Sequence, residues 1–370
     1  MHPQVPVYRV EERIKSAYLR VDFDTELYNH QIWGNVGVRY TGTRDKSTGS
    51  QTYGVRMTNP SSGSGYSDYL FGTSIATLEN TYHDYLPSLN VMGWVVPDKF
   101  MVRFGLSKVM SRPSVDLLVP NARCIRNSGL AVFGGDGDDD CTAGNPDLKP
   151  FRAKNTDLSF EYYPSADSQV SVGLFKKDID SYILEKQIVK GVDLFKNGER
   201  FDVTQAINGK GATTKGIELT ARTAFTFLPG WLGGFGGDAN YTRMTYKYAA
   251  GTERLNILDG TVLPYAGLSK NSYNVALWYD LGKVNARLAY NYRDRFYTGS
   301  NDVSGNPNFQ EKTGFLDAKF QYRYNDNITF SIEGKNLTDQ AQTTDAGDTF
   351  RVNELAWSGR RYFVSVSIKN

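Results

Sequence analysis

Apolar and polar residues alternate along this chain in long runs. In residues 283–292, Val284, Ala286, Leu288, Tyr290 and Tyr292 alternate with Asn285, Arg287, Ala289 and Asn291. Leu316, Ala318, Phe320, Tyr322 and Tyr324 alternate with Asp317, Lys319, Gln321 and Arg323. Ile328, Phe330 and Ile332 stand against Thr329, Ser331 and Glu333, and Tyr362, Val364, Val366 and Ile368 against Phe363, Ser365, Ser367 and Lys369. Residues 17–24 and 35–40 repeat the pattern nearer the start. A period of two with one apolar and one polar face predicts β-strands.

The runs persist for about 10 residues, the length at which a tilted strand crosses a bilayer. Strands of a soluble sandwich are shorter, about 5–6 residues. Long cations recur on the polar face (Arg20, Arg39, Arg103, Arg287, Lys319 and Arg323), while Tyr and Phe gather toward strand ends, as interfacial girdles do. Tight turns are predicted at 97–98, 164–168, 280–283 and 325–327. Between them lie long polar stretches at 43–72, 112–150, 186–200, 250–263, 298–309 and 343–355. Short turns at one end and long loops at the other are the asymmetry of an outer-membrane barrel. The spacing gives about thirteen strands, with the first and last both running toward the short-turn side. A barrel whose chain starts and ends in the periplasm has an even count, so further strands are expected upstream. A large soluble β protein is the competing reading.

Composition sharpens this. The chain has 370 residues, with 24 Tyr, 20 Phe and 36 Gly. Mean hydropathy is −0.46, and no run of about 18 apolar residues predicts a transmembrane helix. Lys and Arg number 42 against 40 acidic residues, a net charge of +2, too balanced for a nucleic-acid partner. The first ten residues, MHPQVPVYRV, have no basic start and no apolar core. Either the protein is cytoplasmic or a signal peptide lies upstream. No catalytic constellation is readable. The histidines His2, His30 and His83 have no nucleophile placed beside them by a motif. The glycines of 230–237, GWLGGFGG, lie between two strands with no helix behind them, so they read as turn residues rather than a phosphate loop. No enzyme is expected.

Motifs then bring in a family. The stretch NPDLKP (Asn145, Pro146, Asp147, Leu148, Lys149 and Pro150), with the alternating Leu158, Phe160 and Tyr162 after it and FKKDIDSYI ending the next strand, closely resembles the C-terminal barrel of TonB-dependent outer-membrane receptors. YLPSLN at 85–90, GNVGVRY at 34–40, VRFGLSKVMSRP at 102–113, IEGKNLTDQ at 332–340 and GRRYFVSVSIK at 359–369 are similar in kind and order, and together they span nearly the whole chain. The resemblance implies an all-β, antiparallel transmembrane β-barrel, here partial, about thirteen of 22 strands. Residues 1–370 would then be the C-terminal part of the barrel, equivalent to strands ten to twenty-two. The plug domain, the segment contacting TonB and about nine strands are expected upstream. Members usually end on an outward-facing aromatic, whereas this chain has Asn370 there.

The resemblance further implies outer-membrane lipid, a nutrient ligand and the TonB complex (through a plug) as partners in a Gram-negative cell. Ferric siderophores, cobalamin and oligosaccharides are family substrates, and the aromatic, nearly neutral loops lean toward oligosaccharide. A passive porin or structural barrel, or a soluble carbohydrate-binding protein, is the alternative. Three groups of residues are candidates for chemistry. Cys124 and Cys141 fall in the longest loop. In an exported protein they are expected to form a disulfide closing about 18 residues, worth roughly 3 kcal/mol by chain entropy. Asp136, Asp138, Asp139 and Asp140 between them are a weak Ca²⁺ candidate, with a solvated acidic loop tip as the plainer reading. No other cofactor is indicated. Tyr66, Tyr69, Tyr246, Tyr248, Tyr297 and Trp357 are the loop aromatics suited to stacking on a ligand, with an interfacial girdle as the alternative.

Overall fold

The computed structural model describes residues 8–58, 61–62, 66–127, 140–198, 200–256 and 258–369. Asn370 and the Asp136, Asp138 and Asp139 candidates lie outside them. The strands are β1 (Arg9–Leu27), β2 (His30–Thr58), β3 (Tyr66–Val96), β4 (Phe100–Ser111), β5 (Ala122–Asn127), β6 (Asp140–Ala143), β7 (Phe151–Ser165), β8 (Ser168–Val192), β9 (Phe201–Ala224) and β10 (Phe235–Tyr248). They continue as β11 (Asn271–Leu281), β12 (Val284–Arg293), β13 (Phe296–Asn301), β14 (Pro307–Gln310), β15 (Thr313–Arg323), β16 (Ile328–Lys335), β17 (Gln342–Asp345), β18 (Val352–Ala356) and β19 (Arg361–Ile368). The only described helices are two short 3₁₀ turns, and no separate globular plug occurs among the described residues.

Thirteen strands of the 15-stranded main sheet, all but β5 and β6, form one antiparallel up-and-down wall. Among the described residues β1 pairs only with β2, and β19 only with β16, so the wall is open between them. Its short connections are as tight as the sequence implies. Gly282, at φ 60°, begins the two-residue turn between β11 and β12, where a Cβ would be strained. The turn between β1 and β2 uses Tyr28 and Asn29, both at positive φ, and was not legible in advance.

Register divides the wall into two faces. Tyr279, Ala286, Phe320, Ile332 and Val364 are cross-strand partners in one continuous row. Leu277 and Leu288 flank that row, and both are exposed. Such a belt costs about 25 cal/mol per Å² in water and nothing against acyl chains. Aromatic pairs bound it. Tyr40–Tyr85 (5.3 Å between centroids) and Tyr273–Tyr292 (4.8 Å) lie toward the long-loop end, and Phe235–Tyr279 (4.8 Å) toward the short-turn end.

The opposite, lumen face is polar and internally paired. Asp238 on β10 lies 3.4 Å from Arg222 on β9 and 3.1 Å from Arg287 on β12. Lys319 meets Glu333 at 2.9 Å, and Arg103 meets Glu161 at 2.6 Å. Trp278 lies over Gly236 on the adjacent strand, where any Cβ would collide with the indole.

Two departures from the sequence reading occur at the long-loop end. Much of 43–72 is not loop, because β2 and β3 remain paired from Ile32–Gly93 out to Thr58–Tyr66 with one register shift at Tyr53/Gly54. Likewise, 298–309 and 343–355 contribute a four-stranded sheet in the order β13-β14-β17-β18. Extending the ladder satisfies backbone N–H and C=O groups that polar loops would leave to water.

The second departure is the hairpin β5–β6, inside the longest loop. β5 runs parallel to β2, pairing Gln51–Ala122 through Arg56–Asn127, and β6 runs parallel to β9 at Cys141–Val203 and Thr142–Thr204. Since β2, β3, β4, β7, β8 and β9 are already neighbours in the wall, the hairpin closes them into a ring above the membrane belt.

Candidate functional site

The interior of the long-loop end is built in two parts. The first is the ring closure. Cys124 and Cys141 face each other across β5–β6 and are joined by a disulfide. They sit in a dry cluster with Ala122, Ala143, Phe201 and Val203, against which Tyr53 and Phe195 pack. Asp68 on β3 ties the hairpin to the wall, bonding Arg56 of β2 at 2.8 Å and Arg123 of β5 at 3.1 Å. The Arg56 hydrogen bond, more than any other influence, holds the Asp68 carboxyl below the ordinary carboxylate range.

The NPDLKP segment supports this ring as it leads into β7. Pro146 and Pro150 have no N–H to donate. Asn145 to Leu148 form a turn, with the Leu148 N–H on the Asn145 carbonyl at 3.4 Å and the Asp147 N–H on the Asn145 Oδ1 at 3.0 Å. The carbonyls of Pro146, Leu148, Lys149 and Pro150 accept from neighbouring strands. Asn80 of β3 donates to the carbonyls of Pro146 (3.1 Å) and Leu148 (3.3 Å). Asn208 of β9 both donates to and accepts from the Lys149 backbone, each at 2.8 Å. Ser181 of β8 donates to Pro150 at 2.8 Å, and Asn145 donates to the Ala206 carbonyl at 2.9 Å. Leu148 is wholly buried beside Leu118 and Ala206. The motif's backbone, Asn145 and Leu148 therefore fasten β3, β8 and β9 together, while the Asp147 and Lys149 side chains are exposed.

The second part is an aromatic cluster. Tyr246 and Tyr248 share the face of β10 that carries Asp238, so strand parity turns both toward the lumen side. Tyr265, from the connection after β10, stands 6.4 Å and 6.0 Å from them and 6.1 Å from Tyr182 at the end of β8. Burial raises the hydroxyl pKa of Tyr182, Tyr248 and Tyr265, so each remains a neutral donor and acceptor. Beside them lies a cavity of about 460 Å³ lined by Met244, Tyr246, Lys270, Arg295, Tyr297 and Phe309. Arg295 is saturated. It grips buried Asp345 at 2.5 and 3.1 Å, meets Glu311 at 2.6 Å and lies 4.1 Å from the centre of the Phe309 ring. Burial is also the main reason the Glu311 carboxyl sits above its usual range.

The residues singled out from sequence fall in different places. Tyr246 and Tyr248 join the cluster. Tyr297 is completely buried, with Arg254 5.2 Å above its ring and its hydroxyl donating to Asn301 at 3.3 Å, so it props the cavity wall and offers no free stacking face. Tyr69 is exposed far out on β3, and Tyr66 begins that strand with its side chain outside the described residues. Trp357 is exposed and donates to Asp339 at 3.0 Å, with no ring contact to the cluster among the described residues. The side chain of Asp140 is likewise outside the described residues, and no group of three or more metal-ligating side chains occurs among those described. Sequence reasoning missed Tyr182 and Tyr265, which only the fold brings beside β10.

Comparison with known proteins fixes the class. The family described as "TonB dependent receptor-like, beta-barrel" matches residues 3–337. The chain belongs to the TonB-dependent receptor barrel family. That family is one of transporters, not enzymes, and its barrels sit in the outer membrane. The ferric-catecholate import receptor Fiu of E. coli is similar in fold (TM-score 0.61, 14% identity, covering 97% of this chain and 45% of that one). So are a mutant of the ferric enterobactin receptor PfeA of Pseudomonas aeruginosa in complex with enterobactin (0.58, 16%, 97% and 54%) and the ferric yersiniabactin receptor FyuA of Yersinia pestis (0.53, 14%, 99% and 48%). This chain thus spans about half the length of these receptors. A comparison with curated protein sequences gives no match.

Proposed function

We propose that this chain forms the C-terminal thirteen strands of a receptor for TonB-driven uptake of a bulky nutrient, oligosaccharide being the favoured cargo. In this reading the remaining strands and a plug complete the barrel, and the inner-membrane TonB complex acts on the plug. The observation that carries the choice of cargo is the electrically quiet aromatic cluster. Neutral tyrosines stack on sugar faces and exchange hydrogen bonds with hydroxyls. Of the two cations lining the cavity, Arg295 is already neutralised by Asp345 and Glu311, which leaves Lys270 as its one cation without an ion pair among the described residues. The cavity volume also falls within the usual range for small-ligand sites.

A ferric siderophore is the second reading, favoured because the solved receptors similar in fold carry siderophore names. Titration calorimetry of the detergent-folded protein against maltoheptaose, a β-linked hexasaccharide and ferric enterobactin separates the two. Saturable heat with a sugar, weakened about tenfold or more by Tyr248→Ala, supports the proposal. Binding of the ferric catecholate alone replaces oligosaccharide with siderophore.

A further inference from the structure

The lipid-facing side of β4, β7, β8 and β9 carries a feature that neither transport nor strand pairing requires. Lys108 on β4 is the direct cross-strand partner of Lys154 on β7, and Lys176 on β8 is the direct partner of Lys215 on β9. By parity all four share the outward face with Leu106, Leu158, Leu174 and Ile217. Side chains directly opposite in an antiparallel pair stand about 5 Å apart, where like charges destabilise the sheet. The two pairs lie in neighbouring rows offset by two residues, and Arg243 on β10, opposite Ile217, stands diagonal to Lys215 on the same face. The next outward row, across β10, β11 and β12, is Tyr241, Tyr273 and Tyr292, with no cation.

Local acids offset only part of this charge. Asp178, the direct cross-strand partner of Lys154 and a lining residue of the hollow across β2, β3, β4 and β7, lies 2.7 Å from Lys176, and Asp180 lies 3.6 Å from Lys154. No ion pair among the described residues reaches Lys108, Lys215 or Arg243.

Beneath the cations the wall is grooved. One hollow of about 480 Å³ lies between β7, β8, β9 and β10, with Leu158, Leu174 and Ile217 on its floor and Lys176, Lys215 and Arg243 on its rim. A second, of about 460 Å³, lies across β2, β3, β4 and β7, with Val36, Leu89 and Leu106 below and Lys108 and Lys154 above. Thr156 borders both. The cationic rims lie toward the long loops and the apolar floors toward the membrane belt.

We infer that this surface is a specific site for a phosphorylated membrane lipid, each opposed lysine pair bracketing a phosphate while acyl chains lie in the two grooves. The membrane setting comes from family membership, but the site does not depend on which nutrient is carried. An ammonium pair is neutralised by a phosphate placed between its members, which converts a repulsive register into two charge-assisted contacts. The twofold repeat favours a lipid with two phosphates on a rigid headgroup over one with a single phosphate.

Native mass spectrometry of the purified, detergent-folded chain tests this with diphosphoryl lipid A, monophosphoryl lipid A, phosphatidylethanolamine and inorganic phosphate as separate probes. The expected order is diphosphoryl over monophosphoryl by about tenfold, with no retained adduct of phosphatidylethanolamine or inorganic phosphate. Lys154→Gln with Lys215→Gln is expected to abolish that preference, whereas Lys283→Gln at the short-turn end leaves it intact. Equal retention of all three lipids, retention of inorganic phosphate, or an unchanged preference in the double variant would overturn the assignment. Both substituted lysines are exposed on the outer face of the wall, and an unshifted thermal transition in the variants shows that the fold is retained.

Discussion

At the scale of single residues, the clearest lesson is that the strongest sequence motif is mechanical. The carbonyls of NPDLKP and its Asn145 side chain are engaged by Asn80, Ser181, Ala206 and Asn208, and Leu148 is buried. Leu148→Ala removes a wholly buried side chain and is expected to cost about 2–5 kcal/mol, read as a lowered midpoint in urea unfolding from detergent. Asp68 gives a pH effect of definite sign. Its folded pKa is depressed, so its contribution is complete above the unfolded range near pH 4 and is lost as pH falls through the lowered value. Acid is therefore expected to loosen the junction of β2, β3 and β5, with faster amide exchange there. Asp68→Asn should show the looser state already at pH 7. Tyr297 was legible as an aromatic in a loop but not as a pillar, because its burial depends on β14 folding back from ten residues away.

At the scale of elements, the alternation made the wall strands and their tight turns readable, because a two-faced sheet imposes its period directly on sequence. The loop end was less readable. Polar sequence such as residues 43–52 looks like loop when judged by exposure, yet Thr43, Asp45 and Ser47 are buried inside an extended hairpin. The β5–β6 hairpin was hidden for a different reason. Its partners β2 and β9 are distant in sequence, and parallel pairing leaves no local turn signature. Because Cys124–Cys141 clamps that hairpin, reduction or Cys124→Ser is expected to cost roughly 3 kcal/mol of loop-end stability. Limited proteolysis should then cut within 112–150 while the membrane belt stays protected. Cleavage at an unchanged rate after reduction would show that the clamp is dispensable.

At the scale of the whole molecule, the fold is a sheet with two solvents. One face meets lipid with Leu277, Leu288, Phe320 and Ile332, and the other carries ion pairs such as Asp238–Arg287. Its thirteen-strand wall is open between β1 and β19, and the receptors it resembles are about twice as long. Both facts were foreshadowed by the odd strand count. The aromatic cluster was legible only in part, because its rings come from three separate segments.

The two-solvent wall is testable by placing a nitroxide label at each position from Ala286 to Tyr292 in turn, in lipid bilayers, and measuring collision with oxygen and with an aqueous nickel chelate. The native cysteines are paired and do not compete for label. Oxygen accessibility is expected to peak at Ala286, Leu288, Tyr290 and Tyr292, and nickel accessibility at Arg287, Ala289 and Asn291. Uniform access of the aqueous chelate at all seven positions would contradict a membrane-spanning wall.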